Sequence, residues 1–156
     1  MTTKTSRRIL ILHGPNLNLL GEREPEVYGR LSLRDVNSLL KKESHLLGVK
    51  LRIYQSNSEG ELIDLLHKNR KWAHGVVFNP GAYTHYSYAL RDAVSAIVKP
   101  TVEVHFSDTQ SREDFRKVSV IAPVCIRQIV GLGWESYVEG IRLLCTRISV
   151  TDAVKK

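Results

Sequence analysis

Residues 7–29 read RRILILHGPNLNLLGEREPEVYG. The run from Arg7 to Leu12 is apolar after its two arginines and has the length and bounds of a buried strand. From His13 on the pattern stops. The next stretch, 13–29, holds two asparagines, two prolines, three glycines, an arginine between glutamates and a tyrosine, with no helical period. A loop of this length inside a compact chain is usually functional or disordered. The hydrogen-bonding and charged groups of Asn16, Asn18, Arg23 and Tyr28 favour function.

Reading outward, the same strand-then-helix pattern recurs. Ser32 with Asp35 forms a capping box. Leu33, Val36, Leu39, Leu40 and Leu47 give the helix behind it an apolar stripe, and Gly48 stops it. VKLRIYQ (49–55) alternates as a strand. Ser58 with Glu61 is a second capping box, opening a helix through about Arg70. GVVFN (75–79) is a short buried strand. A third helix is predicted from about Tyr83 to Ile97, with Tyr86, Leu90, Ala93, Val94 and Ile97 facing the core. PTVEVHF (100–106) is a strand with proline at its start, where it is tolerated. VSVIAP (118–123) is a fifth, weaker strand, and a last helix begins near Gly133.

Five strands alternating with helices predict an α/β fold with a parallel sheet covered on both faces. Such sheets bind ligands beyond the carboxyl ends of their strands. The polar residues fall there: His13 and Asn16 after the first strand, Ser56 and Asn57 after the second, Asn79, Gly81 and His85 after the third, His105 and Ser107 at the fourth.

The chain has 156 residues, 42% hydrophobic and 25% charged, as an ordinary globular protein does. One domain spanning 1–156 is expected, with ends frayed over 1–6 and 152–156. A lid loop is expected over about 18–29. No run is long enough to span a bilayer, and the four apolar residues behind Arg7 and Arg8 make no secretory segment. Two cysteines make no disulfide framework, so a reducing cytoplasm is expected. The net charge of +7 comes from scattered lysines and arginines with no nucleic-acid motif. It suits an anionic small substrate better than nucleic acid or a membrane.

Two groupings could carry chemistry. A phenol has a reference pKa near 10, so using its anion as a base at pH 7 costs about 4 kcal/mol unless a neighbouring cation offsets it. Arg23 could be that cation for Tyr28. Glu103 and His105 are two apart, and period two puts both on one face of a strand. The carboxylate can there orient and charge the imidazole, which suits a general acid. A packing tyrosine and a satisfied buried polar pair are the plainer readings.

The segments 13–29, QSNSEGELID (55–64), VVFNPGAYTHYSYALRDA (76–93), PTVEVHFSD (100–108), REDFR (112–116) and IVGLGWESYVEGI (129–141) together resemble the type II 3-dehydroquinate dehydratases. They occur in order over nearly the whole chain. The resemblance implies a flavodoxin-like fold, a homododecamer built as a tetramer of trimers, and dehydration of 3-dehydroquinate to 3-dehydroshikimate without metal or cofactor. It implies Tyr28 as the base at C2 and Arg23 as the group that activates it. It also implies an enolate met by a water near Asn16, and His105 as the acid at the C1 hydroxyl, oriented by Glu103. Asn79, His85, Phe106, Ser107 and Arg116 are implied as substrate-binding groups, and Asp92 as a residue reaching the neighbouring subunit's site. Phe106 stands where the family usually has an aliphatic residue, and Asp108 where asparagine is common.

Two alternatives come from other classes. One is a metal-dependent hydrolase using His85, Glu103 and His105. The other is a flavodoxin-like module binding a small molecule or phosphate, although GPNLN lacks the lysine and glycine spacing of a P-loop.

Overall fold

A computed structural model describes residues 6–154, with side chains through Ile148. The expected frayed ends therefore fall largely outside the described residues. Ser6 is tied to the Gly48 carbonyl, and the backbone of the last helix runs to Val154.

Five parallel strands form one sheet: β1 (Arg7–His13), β2 (Val49–Gln55), β3 (Gly75–Asn79), β4 (Thr101–Val104) and β5 (Arg127–Ile129), in the order β2-β1-β3-β4-β5. The helices are a single turn α1 (Pro25–Tyr28), then α2 (Leu33–Leu46), α3 (Glu59–Asn69), α4 (Tyr88–Ala96) and α5 (Glu135–Val154). Strand periodicity explains the two cores. Ile9 and Ile11 of β1 face α2 and α5 and pack with Val36, Leu40, Tyr137, Ile141 and Leu144. Leu10 and Leu12 face the other way, toward Leu62 and Leu66 of α3 and Leu90 and Val94 of α4. A central parallel strand buried on both faces must be apolar throughout, which is what the run Ile9–Leu12 supplies.

The strand order reverses between β1 and β3, and ligands of such sheets bind at that reversal. The chain is drawn tight there. The Gly14 N–H donates to the Asn79 carbonyl at 2.7 Å. A Cβ on Gly14 would lie 2.7 Å from that oxygen, so only glycine fits.

Three sequence expectations need correction. The third helix starts later than Tyr83. Residues Gly81–His85 form a 3-10 turn, and α4 begins after Ser87, whose side chain accepts from the Leu90 N–H at 3.0 Å. Tyr86 consequently points outward, 61% exposed, whereas Leu90, Ala93, Val94 and Ile97 are buried as expected. The fifth strand is RQI (127–129), not VSVIAP. Ile121 is a buried plug, but Ala122–Val124 coil into a 3-10 turn and Val118 is exposed. An edge strand needs only one partner and tolerates polar residues, so its pattern carries no apolar signal. The capping box at Ser32 is complete, whereas that at Ser58 is half-formed, because the Glu61 carboxylate accepts from the Ser56 hydroxyl instead.

Candidate active site

The carboxyl ends of β1, β3 and β4 open on a cavity of about 80 Å3. Nine of the expected residues line it: Asn16, Arg23, Tyr28, Asn79, His85, His105, Phe106, Ser107 and Arg116. Arg112 and Thr109 line it as well. A larger hollow of about 530 Å3, lined by His74, Val98, Lys99 and Pro100 among others, lies at the opposite, amino end of the strands.

The phenol end is built by the loop after β1. Leu17 and Leu20 are buried and pin that loop to the core. Gly21 (φ 88) and Gly29 (φ 83) bracket the segment between, which carries α1 and ends on Tyr28. The Tyr28 hydroxyl accepts a hydrogen bond from the Arg112 guanidinium at 2.7 Å. Arg23 sits differently from the sequence expectation. Its guanidinium lies over the Tyr28 ring, 5.1 Å from the centroid, and pairs with Glu24 at 3.3 Å. The cation on the phenol oxygen is thus Arg112, with Arg23 over the face. Sequence reasoning missed Arg112, although it opens the REDFR segment that was singled out.

The imidazole end is built by β4. The His105 Nε2 meets the Glu103 carboxylate at 2.6 Å, as period-two spacing requires. Glu103 is wholly buried, and its carboxylate also accepts from Thr84, Ser119 and Gln128. Burial pushes the Glu103 pKa up, but the hydrogen bond and charge of His105, with the hydroxyls of Thr84 and Ser119, outweigh it and leave the group below the ordinary carboxylate value. Glu103 is therefore an anion that fixes the proton of His105 on Nε2 and turns Nδ1 away from itself.

Between these ends stand the polar groups. Asn16 takes a left-handed backbone (φ 67), and its N–H donates to the Asn57 side chain at 3.0 Å. His85 donates from Nδ1 to the Val118 carbonyl at 2.7 Å, which leaves Nε2 free to accept. Arg116 pairs with Glu113 at 2.8 Å. Three arginines and no carboxylate line the cavity among the described residues, a charge balance that suits an anionic ligand.

Several expected groups lie elsewhere. Glu103 stands behind His105 and does not line the cavity. Asp92 is exposed on α4, outside this chain's cavity. His13 is wholly buried and points into the core toward Tyr137. Ser56 and Asn57 serve as turn and cap groups. Phe106 does line the cavity, and its ring also packs edge-on against Tyr137, with centroids 5.5 Å apart. The Asp108 side chain accepts from the Gln110 N–H and caps a 3-10 turn. His85, Glu103 and His105 do not form a metal-ligating trio. The Glu103 oxygens are taken by four donors, and His85 is bonded to the Val118 carbonyl.

A family model described as dehydroquinase class II matches residues 7–145. The 3-dehydroquinate dehydratase of Pelotomaculum thermopropionicum is 60% identical over 135 residues, covering 86% of this chain and 94% of that one. That of Bacillus subtilis is 53% identical over 138 residues, covering 88% and 93%. Among solved structures, type II dehydroquinase from Butyrivibrio crossotus superposes with a TM-score of 0.87 at 41% identity, covering 88% of this chain and 97% of that one.

Proposed function

Because the chain belongs to the class II dehydroquinase family, whose hydro-lyase activity it shares, we propose that it removes water from 3-dehydroquinate through an enolate, with Tyr28 as base and His105 as acid. The observation that carries this reading is one cavity holding a phenol oxygen bonded to a guanidinium and an imidazole backed by a buried carboxylate.

The steps follow from that arrangement. A cation donating to a phenol oxygen favours the phenolate. With Arg112 on the oxygen and Arg23 over the ring, Tyr28 takes the proton from C2, next to the ketone. The electron pair moves into the C2–C3 bond and charge gathers on the C3 oxygen. A water held by Asn16 donates to that oxygen, which is electrostatic stabilisation of developing charge. The pair then returns to form the C1–C2 double bond. The C1 hydroxyl leaves as water with a proton from His105, and Glu103 stabilises the imidazolium that precedes this transfer. Base and acid act on opposite faces of the ring, an anti elimination. The Phe106–Ser107 backbone and the Ser107 hydroxyl receive the substrate carboxylate, and Asn79, His85 and Arg116 hold the ring hydroxyls. No lysine lines the cavity among the described residues, and the proposal uses no imine.

The active particle is a dodecamer, a tetramer of trimers, in which Asp92 reaches a neighbour's site. Tyr88, Asp92 and Ser95 share an exposed face of α4; the exposed Tyr86 precedes that helix by two residues, and the exposed Phe115 and Val118 both contact His85. This favours a subunit contact. Two cysteines in 156 residues are too few for a disulfide framework and suit a reducing, cytoplasmic setting.

The direct test is incubation with 3-dehydroquinate while the absorbance of the conjugated enone is followed. Activity that survives both borohydride and EDTA supports the enolate route. Inactivation by borohydride with substrate argues for an imine, and inactivation by EDTA for a metal.

A further inference from the structure

Segment 118–121 runs between the 3-10 turns Asp114–Lys117 and Ala122–Val124 and makes no strand. It lies against the turn Gly81–His85. The Val120 N–H donates to the Thr84 carbonyl at 2.8 Å, and the Val118 carbonyl accepts from His85 Nδ1 at 2.7 Å. Between those two residues stands Ser119. Its hydroxyl lies 2.9 Å from Oε2 and 3.1 Å from Oε1 of the wholly buried Glu103. Glu103 Oε1 meets His105 Nε2 at 2.6 Å, and His105 lines the cavity whereas Ser119 does not.

The Glu103 carboxylate is held unevenly. Oε1 receives His105 Nε2, the Thr84 hydroxyl and the Gln128 amide. Among the described residues, Oε2 meets Ser119 alone. Donors on one oxygen fix that oxygen and leave the group free to swing about it, and a donor on the other stops the swing. The Ser119 hydroxyl is set up for this. The N–H groups of Ile121 and Ala122 donate to its oxygen at 3.2 and 2.9 Å, which occupies both lone pairs. Its one proton is therefore turned outward, toward Thr84 Oγ1 at 2.7 Å and the carboxylate. The carboxylate is an anion and the stronger acceptor, so it takes that proton's hydrogen bond. Without Ser119, Oε2 would be a buried charged oxygen lacking a donor, which is costly. The carboxylate would then hold its charge less well and draw the Nε2 proton from His105, and an imidazole that has lost that proton is a poor acid.

We infer that Ser119 is a positioning residue for proton donation by His105. It acts through Glu103 and touches no ligand itself. It pins the second carboxylate oxygen, so that the charge stays on Glu103 and the proton stays on the imidazole. The neighbouring Val118 carbonyl holds His85, so one dipeptide of the loop after β4 supports both imidazoles of the cavity. The inference rests on the reading of His105 as the acid.

The test is steady-state kinetics of the full-length protein with 3-dehydroquinate for Ser119→Ala, Ser119→Thr, His105→Ala and the double variant Ser119→Ala/His105→Ala. Ser119→Ala should lower kcat roughly 10-fold and leave KM within about 2-fold, because the hydrogen bond serves the proton transfer and not substrate binding. Ser119→Thr keeps the hydroxyl and should hold kcat within about 3-fold of the parent. In the His105→Ala background, Ser119→Ala should add nothing, because the two act as one unit. A normal kcat for Ser119→Ala beside a slow His105→Ala overturns the inference alone. So does a loss that falls on KM, a Ser119→Thr protein as slow as Ser119→Ala, or a full additional loss in the double variant. A normal kcat for His105→Ala overturns the reading of His105 and this inference with it. Should Ser119→Ala not fold, Ser119→Cys takes its place, since a thiol of similar size is only a weak donor. The same loss in kcat is then expected, and a normal kcat overturns the inference.

Discussion

The Arg112 guanidinium donates to the Tyr28 hydroxyl at 2.7 Å across 84 residues of chain. One partner comes from the loop after β1 and the other from the loop after β4. The phenol and its cation therefore meet only when both loops are in place.

Arg112→Ala should lower kcat by roughly 10²-fold, the usual cost of removing one preorganised charge-stabilising donor. Its rising, acid-side limb in the pH–rate profile should move to higher pH, since the base loses the cation that favours its anion. Arg23→Ala should act in the same direction through the ring face. A normal rate with an unmoved limb in Arg112→Ala would place that arginine outside the chemistry.

The buried His13 makes stability fall with acid. Its pKa is lowered by burial from 6.5 to about 4, with the Asn37 hydrogen bond opposing. Between those values the unfolded chain binds a proton that the folded chain does not, so stability is full above pH 6.5 and drops as pH approaches 4. The difference corresponds to about 3 kcal/mol per chain. Below the ordinary carboxylate value Glu103 adds a loss of the same sign, because its folded pKa is also lowered. Urea or thermal unfolding between pH 7 and 4 should show the decline, and His13→Gln should flatten it. A His13→Gln slope equal to the parent's would contradict this account.

The segment between Gly21 and Gly29 should act as a lid. Both glycines take positive φ, and a Cβ on Gly21 would lie 3.1 Å from the Arg30 carbonyl. Limited trypsin digestion should cut after Arg23, and a substrate-like inhibitor at saturation should protect the bond, as lids that close over ligands do. Equal cleavage with and without ligand counts against closure.

Much of this was readable from the chain, for reasons that differ by element. β1 was legible because a strand buried on both faces has to be apolar at every position, as Ile9 to Leu12 are. The Glu103–His105 contact was legible because it depends only on the period of a strand. β5 was not, since an edge strand such as Arg127–Ile129 is defined by its pairing with β4 and carries no apolar pattern. The late start of α4 hinged on Ser87, one of two residues in that turn, with Thr84, that could have capped it. Arg112 escaped because its partner lies 84 residues away, and no local spacing signals such a meeting. His13 was legible as a polar group at a strand end, but its inward direction depends on Tyr137 of α5.

Assembly is a separate matter from the chemistry. Light scattering at micromolar protein should give about twelve times the 17.7 kDa chain mass, as closed symmetry of this kind requires. Asp92→Ala should lower activity, loosen the trimer, or both. A fully active monomer would defeat the assembly proposal and leave Tyr28 and His105 untouched.

The central claim is that the Tyr28 oxygen takes the C2 proton, and Tyr28→Phe tests it most directly. The substitution keeps the ring beneath Arg23 and removes only the hydroxyl that Arg112 bonds. The account predicts a folded protein whose kcat on 3-dehydroquinate, followed by enone absorbance, falls by roughly 10²- to 10⁴-fold. A folded Tyr28→Phe protein that turns over within a few-fold of the parent would contradict it.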